Sequence, residues 1–125
     1  MVRMREKGYL VGIPIPFLDQ KGRKLPPLQV GRWTQMAMVE LTECFGGATP
    51  VPAPGTNMLA GKLLFEKGQT LVLAGCDSRD AFLSKRNRVQ AFAERMGKAL
   101  RQHSVFVLAC PPDSFLLELE SQEGR

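Results

Sequence analysis

Val30, Trp33, Ala37, Leu41 and Phe45 recur at steps of three and four residues, and the run stops at Gly46-Gly47. That spacing gathers all five on one side of a helix from about Gln29 to Cys44, with Arg32, Gln35, Glu40 and Glu43 pointing away. The glycine pair supplies the left-handed C-terminal stop that such helices favour. A second helix, from about Arg79 to Gln102 with Ser78 or Asp77 as its N-cap, repeats the plan. Its Phe82, Val89, Phe92, Ala93, Met96, Ala99 and Leu100 fall in one arc of about a third of the circumference. A helix with a single apolar stripe has one surface to bury and one to leave in water. Two of them in one chain call for a shared sheet beneath.

The segments around the helices supply it. In Tyr9 to Phe17 the two-residue period puts Tyr9, Val11, Ile13 and Ile15 on one face and Leu10, Gly12, Pro14 and Pro16 on the other. Pro14 and Pro16 cannot donate ladder hydrogen bonds, so the far half of this strand lies at an edge or is leaving the sheet. Asp19 to Pro27 is a basic loop carrying Lys21, Arg23 and Lys24 around Gly22. Thr49 to Gly55 contains Pro50, Pro52 and Pro54, which fits an irregular or edge strand. Lys62 to Glu66 is expected to pair with Gln69 to Cys76 around Lys67-Gly68, with Thr70 to Ala74 a central strand buried on both faces. Ser104 to Cys110 reads as a strand, and Phe115 to Leu119 can return beside it after Pro111-Pro112-Asp113-Ser114. The order βαββαβ is that of a ferredoxin-like α+β sandwich, an antiparallel sheet with both helices on one face. The 125 residues fit one such domain, with residues 1–7 and 120–125 as flexible ends. A domain of this size cannot cover the second face of its sheet. That face calls for another copy of the chain or a ligand, and a homodimer through it is the expectation.

Several classes are disfavoured. The longest apolar run, Tyr9 to Leu18, carries two prolines and falls far short of the roughly 20 residues of a membrane span. Arg3, Arg5 and Lys7 before that run imitate a secretion signal, but Asp19-Gln20-Lys21-Gly22 comes next where small cleavage-site residues are needed, so the run reads as a strand. Cys44, Cys76 and Cys110 are odd in number and widely separated, which suits neither a disulfide framework nor a paired zinc or redox motif and favours a reducing, cytoplasmic setting. His103 is the one histidine, so no metal site is expected, and no cofactor either. Gly46-Gly47 comes after a helix, whereas phosphate-binding loops precede one.

Trp33, Ala37, Leu41, Phe45-Gly46-Gly47-Ala48-Thr49, Pro52, Gly55 and Gly61-Lys62-Leu63-Leu64-Phe65-Glu66 form a spaced pattern. It resembles a family of small, uncharacterised bacterial proteins whose helix ends in FGG(A)T and is followed by a G-x-W turn and a G-x4-E strand. The resemblance spans Tyr9 to about Leu108 and implies an α+β sandwich with no established activity. The aromatic expected just after Gly55 is missing, since Thr56, Asn57 and Met58 stand there.

Three functional readings remain. The favoured one is a dimeric binding or structural module, resting on the uncovered sheet face, with Trp33, Glu66, Cys76 and His103 as the residues facing any small-molecule ligand. The second is an enzyme of the dimeric ferredoxin-like kind with Glu66 and His103 in one pocket, His103 being the side chain whose ordinary pKa lies near neutrality. The third is nucleic-acid binding through Arg79, Lys85, Arg86, Arg88, Arg95, Lys98 and Arg101 of the second helix, supported by the net charge of +5. These basic residues spread over the whole polar arc, as an ordinary solvated face does.

Overall fold

The computed structural model describes residues 8–111, except for the side chains of Asn57 and Leu59. The flexible ends and the return strand at Phe115 to Leu119 expected from sequence lie outside the described residues. The elements are β1 (Tyr9–Ile15), α1 (Pro27–Phe45), β2 (Thr49–Pro52), β3 (Gly55–Leu59), β4 (Lys62–Glu66), β5 (Thr70–Cys76), α2 (Arg79–Ala99) and β6 (Leu108–Cys110). Four strands form an antiparallel sheet in the order β2-β5-β1-β6, and β3 and β4 form a separate hairpin. Both helices pack on one face of the sheet, the α+β sandwich expected from the pattern.

Each helix ends where its chemistry dictates. Pro27 occupies the first position of α1, where a missing N–H costs nothing, and Gly46 closes the helix at φ 95°, donating its N–H to the Thr42 carbonyl at 2.7 Å. Ser78 caps α2, its hydroxyl accepting from the Ala81 N–H at 3.0 Å. The core lies between helices and sheet. Val11, Ile13 and Ile15 of β1 and Val72, Ala74 and Cys76 of β5 meet Ala37 and Leu41 of α1 and Phe82, Val89, Phe92 and Met96 of α2. Gly97 sits under Val105, and a Cβ there would fall 2.6 Å from the valine's Cγ2, so α2 and the chain before β6 approach closely only because this residue is glycine.

Three expectations need correction. First, β4 pairs with β3 and not with β5; the turn is Ala60-Gly61, with φ 51° and 77°, and residues 67–69 carry the chain from the hairpin into the sheet. Second, β5 is central, between β2 and β1, but it is buried on one face alone. Leu71 and Leu73 are half-buried on the other, where no described helix or strand layer packs. Third, the last strand is short: only Leu108 to Cys110 pairs, with Leu10 to Gly12. Among the described residues the second half of β1 therefore has β5 as its only neighbour, the edge position in which a strand proline such as Pro14 is tolerated.

Register defines the uncovered face. Leu10 stands opposite Gly75 and Cys110, Gly12 opposite Leu73 and Leu108, and Val51 and Pro14 opposite Leu71. Residues directly opposite in an antiparallel sheet point to the same side. Leu10, Val51, Leu71, Leu73, Leu108 and Cys110 therefore make a continuous apolar surface facing away from the helices.

Candidate functional site

The loop after β1 is organised around one buried acid. Asp19, whose side chain is only 1% exposed, accepts from the backbone N–H groups of Lys21 and Arg23, both at 2.9 Å, and from Arg23 Nε at 3.2 Å. Arg101 Nη2 lies 3.7 Å from the same carboxylate. The Arg23 backbone N–H, joined by that of Lys21 and by the Arg23 side chain, holds the Asp19 carboxyl below its ordinary range against the opposing effect of burial. The segment read from sequence as a basic loop is thus a turn pinned by its own acid.

Two further groups tie this turn to distant chain. Glu66, the last residue of the hairpin, accepts from the backbone N–H groups of Leu18 at 3.2 Å and Phe17 at 3.4 Å. Gln102, just beyond α2, donates to the carbonyls of Leu18 at 2.8 Å and Leu100 at 2.9 Å, while the Gln20 N–H donates to the Arg101 carbonyl. Arg101 itself takes a left-handed conformation, φ 52°, to end the helix and bring Gln102 back over the turn. Between these three segments lies a cleft of about 220 Å³, with Asp19, Glu66, Gln102, His103 and Ser104 as its polar lining and Met58 and Leu64 as its apolar wall.

Of the four residues proposed to face a ligand, Glu66 and His103 share this cleft; Trp33 and Cys76 do not. Trp33 lies between the helices, its ring edge-on to Phe92 at 5.7 Å between centroids. Cys76 is in the core beneath the sheet. The Cys44 thiol on α1 is pushed up chiefly by burial, the opposite of what a nucleophile needs. Asp19 and Gln102 were not singled out from sequence, and Arg101 entered only among the basic residues of a nucleic-acid-binding helix. Asp19 three residues before Gly22 carried a local turn signal, whereas nothing local marks Gln102.

The basic helix is partly engaged within the fold. Arg88 pairs with Glu40 at 3.0 Å and with Glu43, both on α1. These two carboxylates raise its guanidinium further above an already high pKa. Arg95 stands 5.6 Å over the Phe92 ring, and Arg101 faces Asp19. Arg79, Arg86 and Lys98 instead line a groove of about 800 Å³ between α2 and residues 104–109. Among the described residues no group of three or more His, Cys, Asp or Glu comes together as metal ligands, and no helix is long and apolar enough to cross a membrane.

No protein-family model and no curated protein matches the chain. Solved structures do match. A phage SAM lyase in complex with S-methyl-5'-thioadenosine aligns with a TM-score of 0.59 at 19% identity, over 89% of this chain and 86% of that one. The same lyase in its apo state gives 0.61 at 16% identity, over 89% and 86%. The divalent ion tolerance protein CutA1 from Ehrlichia chaffeensis gives 0.53 at 8% identity, over 88% and 85%. At these identities the likeness is one of fold. It extends over nearly the whole described chain, so the hairpin and the four-stranded sheet belong to one architecture.

Proposed function

We propose that this chain is a homo-oligomeric binding module, at minimum a dimer, whose subunits meet through the open sheet face and the β3–β4 hairpin. The observation that carries this reading is the hairpin's outer face. Pairing of Met58 with Leu63 and of Thr56 with Phe65 puts three large apolar side chains on one side, and Met58, Leu63 and Phe65 are 61%, 55% and 62% exposed. A two-stranded hairpin is marginal alone, and an exposed apolar cluster of this kind marks a contact surface. The sheet face by itself has a footprint on the order of 400 Å² from strand spacing and rise. A stable interface buries about 800 Å² per partner, so sheet and hairpin together come closer to what is needed. Light scattering on the eluting peak of a size-exclusion column tests it: a mass of two or more chains is expected at tens of micromolar, and a strict monomer there overturns the reading. The odd number and wide spacing of Cys44, Cys76 and Cys110 support a cytoplasmic setting, and the residues shared with the FGGAT-type bacterial proteins serve the fold, Trp33, Ala37, Leu41 and Phe45 in the core and Gly46 at the helix end.

The cleft that gathers Glu66 and His103 favours a second reading, an enzyme or ligand site at that position. A lyase of the same fold holds S-methyl-5'-thioadenosine, so S-adenosylmethionine and that thionucleoside are the first ligands to try by calorimetry and by chromatography of the products. Turnover retained in a His103→Ala, Glu66→Gln double variant removes both residues from any such chemistry.

A further inference from the structure

The β3–β4 hairpin is the far end of a ribbon that begins in the sheet. Beyond the last β2–β5 pair, Pro52 opposite Thr70, the Ala53 N–H donates to the Gln69 carbonyl at 2.9 Å, and the Gln69 side-chain amide donates to the Ala53 carbonyl at 3.0 Å. The next pair outward is Gly55 opposite Glu66. Pro54 therefore faces two residues, Lys67 and Gly68. One extra residue on one strand is a β-bulge, and it bends the ribbon at that point. Past the bend, β3 and β4 pair only with each other among the described residues, so strand pairing does not set the angle at which the hairpin leaves the sheet.

Contacts from the turn after β1 set that angle. The Glu66 carboxylate takes the Leu18 and Phe17 N–H groups, at 3.2 and 3.4 Å, in the charge-assisted kind of hydrogen bond that is stronger than a bond between neutral groups. At the bend itself the Phe17 ring lies so close to Gly68 that a Cβ there would collide with it, and Lys24 Nζ stands 5.4 Å over the same ring. The two amides belong to a rigid stem: the Leu25 N–H donates to the Phe17 carbonyl at 3.0 Å, Leu18 bridges to Lys24, and Asp19 pins the loop between them. Along β4 the two-residue period puts Leu64 and Glu66 on one face and Leu63 and Phe65 on the other, so the grip on Glu66 leaves the apolar face outward. We propose that Glu66 is a positioning residue for assembly: its hold on the Phe17 and Leu18 amides fixes the bent hairpin at the angle that presents Met58, Leu63 and Phe65 to a second copy of the chain. This rests on the assembly reading above and gives that contact surface a named anchor.

Sedimentation equilibrium and amide hydrogen exchange on the full-length protein test this. Glu66→Ala should raise the dissociation constant at least tenfold and speed exchange at the Phe17 and Leu18 amides at least tenfold, while the amides of β1 and β5 stay protected. Glu66→Gln keeps an oxygen that accepts from the same amides, and it should stay within about threefold of the parent in both readouts. An assembled parent whose dissociation constant is unchanged in Glu66→Ala overturns the proposal. So do Phe17 and Leu18 amides that exchange no faster, and a Glu66→Gln protein as weak as Glu66→Ala. Should Glu66→Ala fail to fold, Gly68→Ala decides, since it leaves the carboxylate in place and displaces the Phe17 ring from the bend: it should raise the dissociation constant at least threefold, and an unchanged constant overturns the proposal. A parent that sediments as a monomer fails the assembly reading, and this inference with it, before any substitution is made, so the two failures are told apart.

Discussion

Asp19 shows how one side chain decides a loop. With two backbone N–H groups and the Arg23 guanidinium on its oxygens, the ionised form is favoured in the folded state, and its pKa is lowered from 3.8. The sign comes from linkage: a depressed folded pKa adds stability that is present above the unfolded value and is lost as pH falls through the folded one. Asp19→Asn keeps the shape and removes the charge. It should lower Tm at pH 7, and the gap from the parent should narrow as pH falls below about 4, the ordinary carboxyl range. A gap that stays constant from pH 7 to pH 3 in thermal melts refutes this role. The turn around Gly22 was legible in sequence because its signal is local. The partners Arg101 and Gln102 were not, since Gln102 reaches Leu18 across 84 positions and only the end of α2 brings them together. Glu66 was singled out as a ligand-facing residue, but its role as a tie was illegible for the same reason: the amides it holds are 48 and 49 residues away.

The hairpin is where element-level reading erred, and its turn explains why. Both Lys67-Gly68 and Ala60-Gly61 place glycine second, but Ala60 adopts φ 51° and Gly61 φ 77°, the left-handed pair of a two-residue hairpin turn. Alanine in that conformation carries a penalty of about 1 kcal/mol and gives no sequence signal, so the turn falls at a pair that the sequence does not mark. Gly68 is glycine for another reason: a Cβ there would fall 2.3 Å from Cδ1 of the Phe17 ring. Ala60→Asn should relieve the strain and stabilise the hairpin by about 0.5–1 kcal/mol, since Asn tolerates this conformation. Hydrogen exchange should then slow by roughly two- to fivefold at the β3 and β4 amides and stay unchanged in β1. Faster exchange in the hairpin would show that Ala60 is not strained. The helices were read more accurately because their signals are long. Five apolar residues in register, Gly46 and the Ser78 cap all agree on where α1 and α2 lie.

At the scale of the molecule, the described residues build two helices, a four-stranded sheet and a two-stranded hairpin, and the helices cover one side of the larger sheet. Composition alone could not show which apolar residues remain outside; strand parity could, for Leu10 in β1, but the register with Leu73 and Leu108 had to come from the fold. These residues and the hairpin's Phe65 make two separate surfaces, so their shares in assembly can be measured apart. Leu73 lies on a central strand, opposite Gly12, whose missing side chain lets Leu71 and Leu73 close over the sheet. A lysine there would put a charge at the middle of the seam, where it has no partner on this face, and the removal of one buried leucine alone is worth about 1.5–3 kcal/mol. Leu73→Lys should therefore elute as a monomer at concentrations where the parent is assembled. Phe65→Lys, at the hairpin, should raise the dissociation constant at least tenfold, about 1.4 kcal/mol, with the far-ultraviolet dichroism of both variants unchanged. If Leu73→Lys keeps the parent's mass while Phe65→Lys dissociates it, the contact runs through the hairpins and the sheet face is left for a ligand.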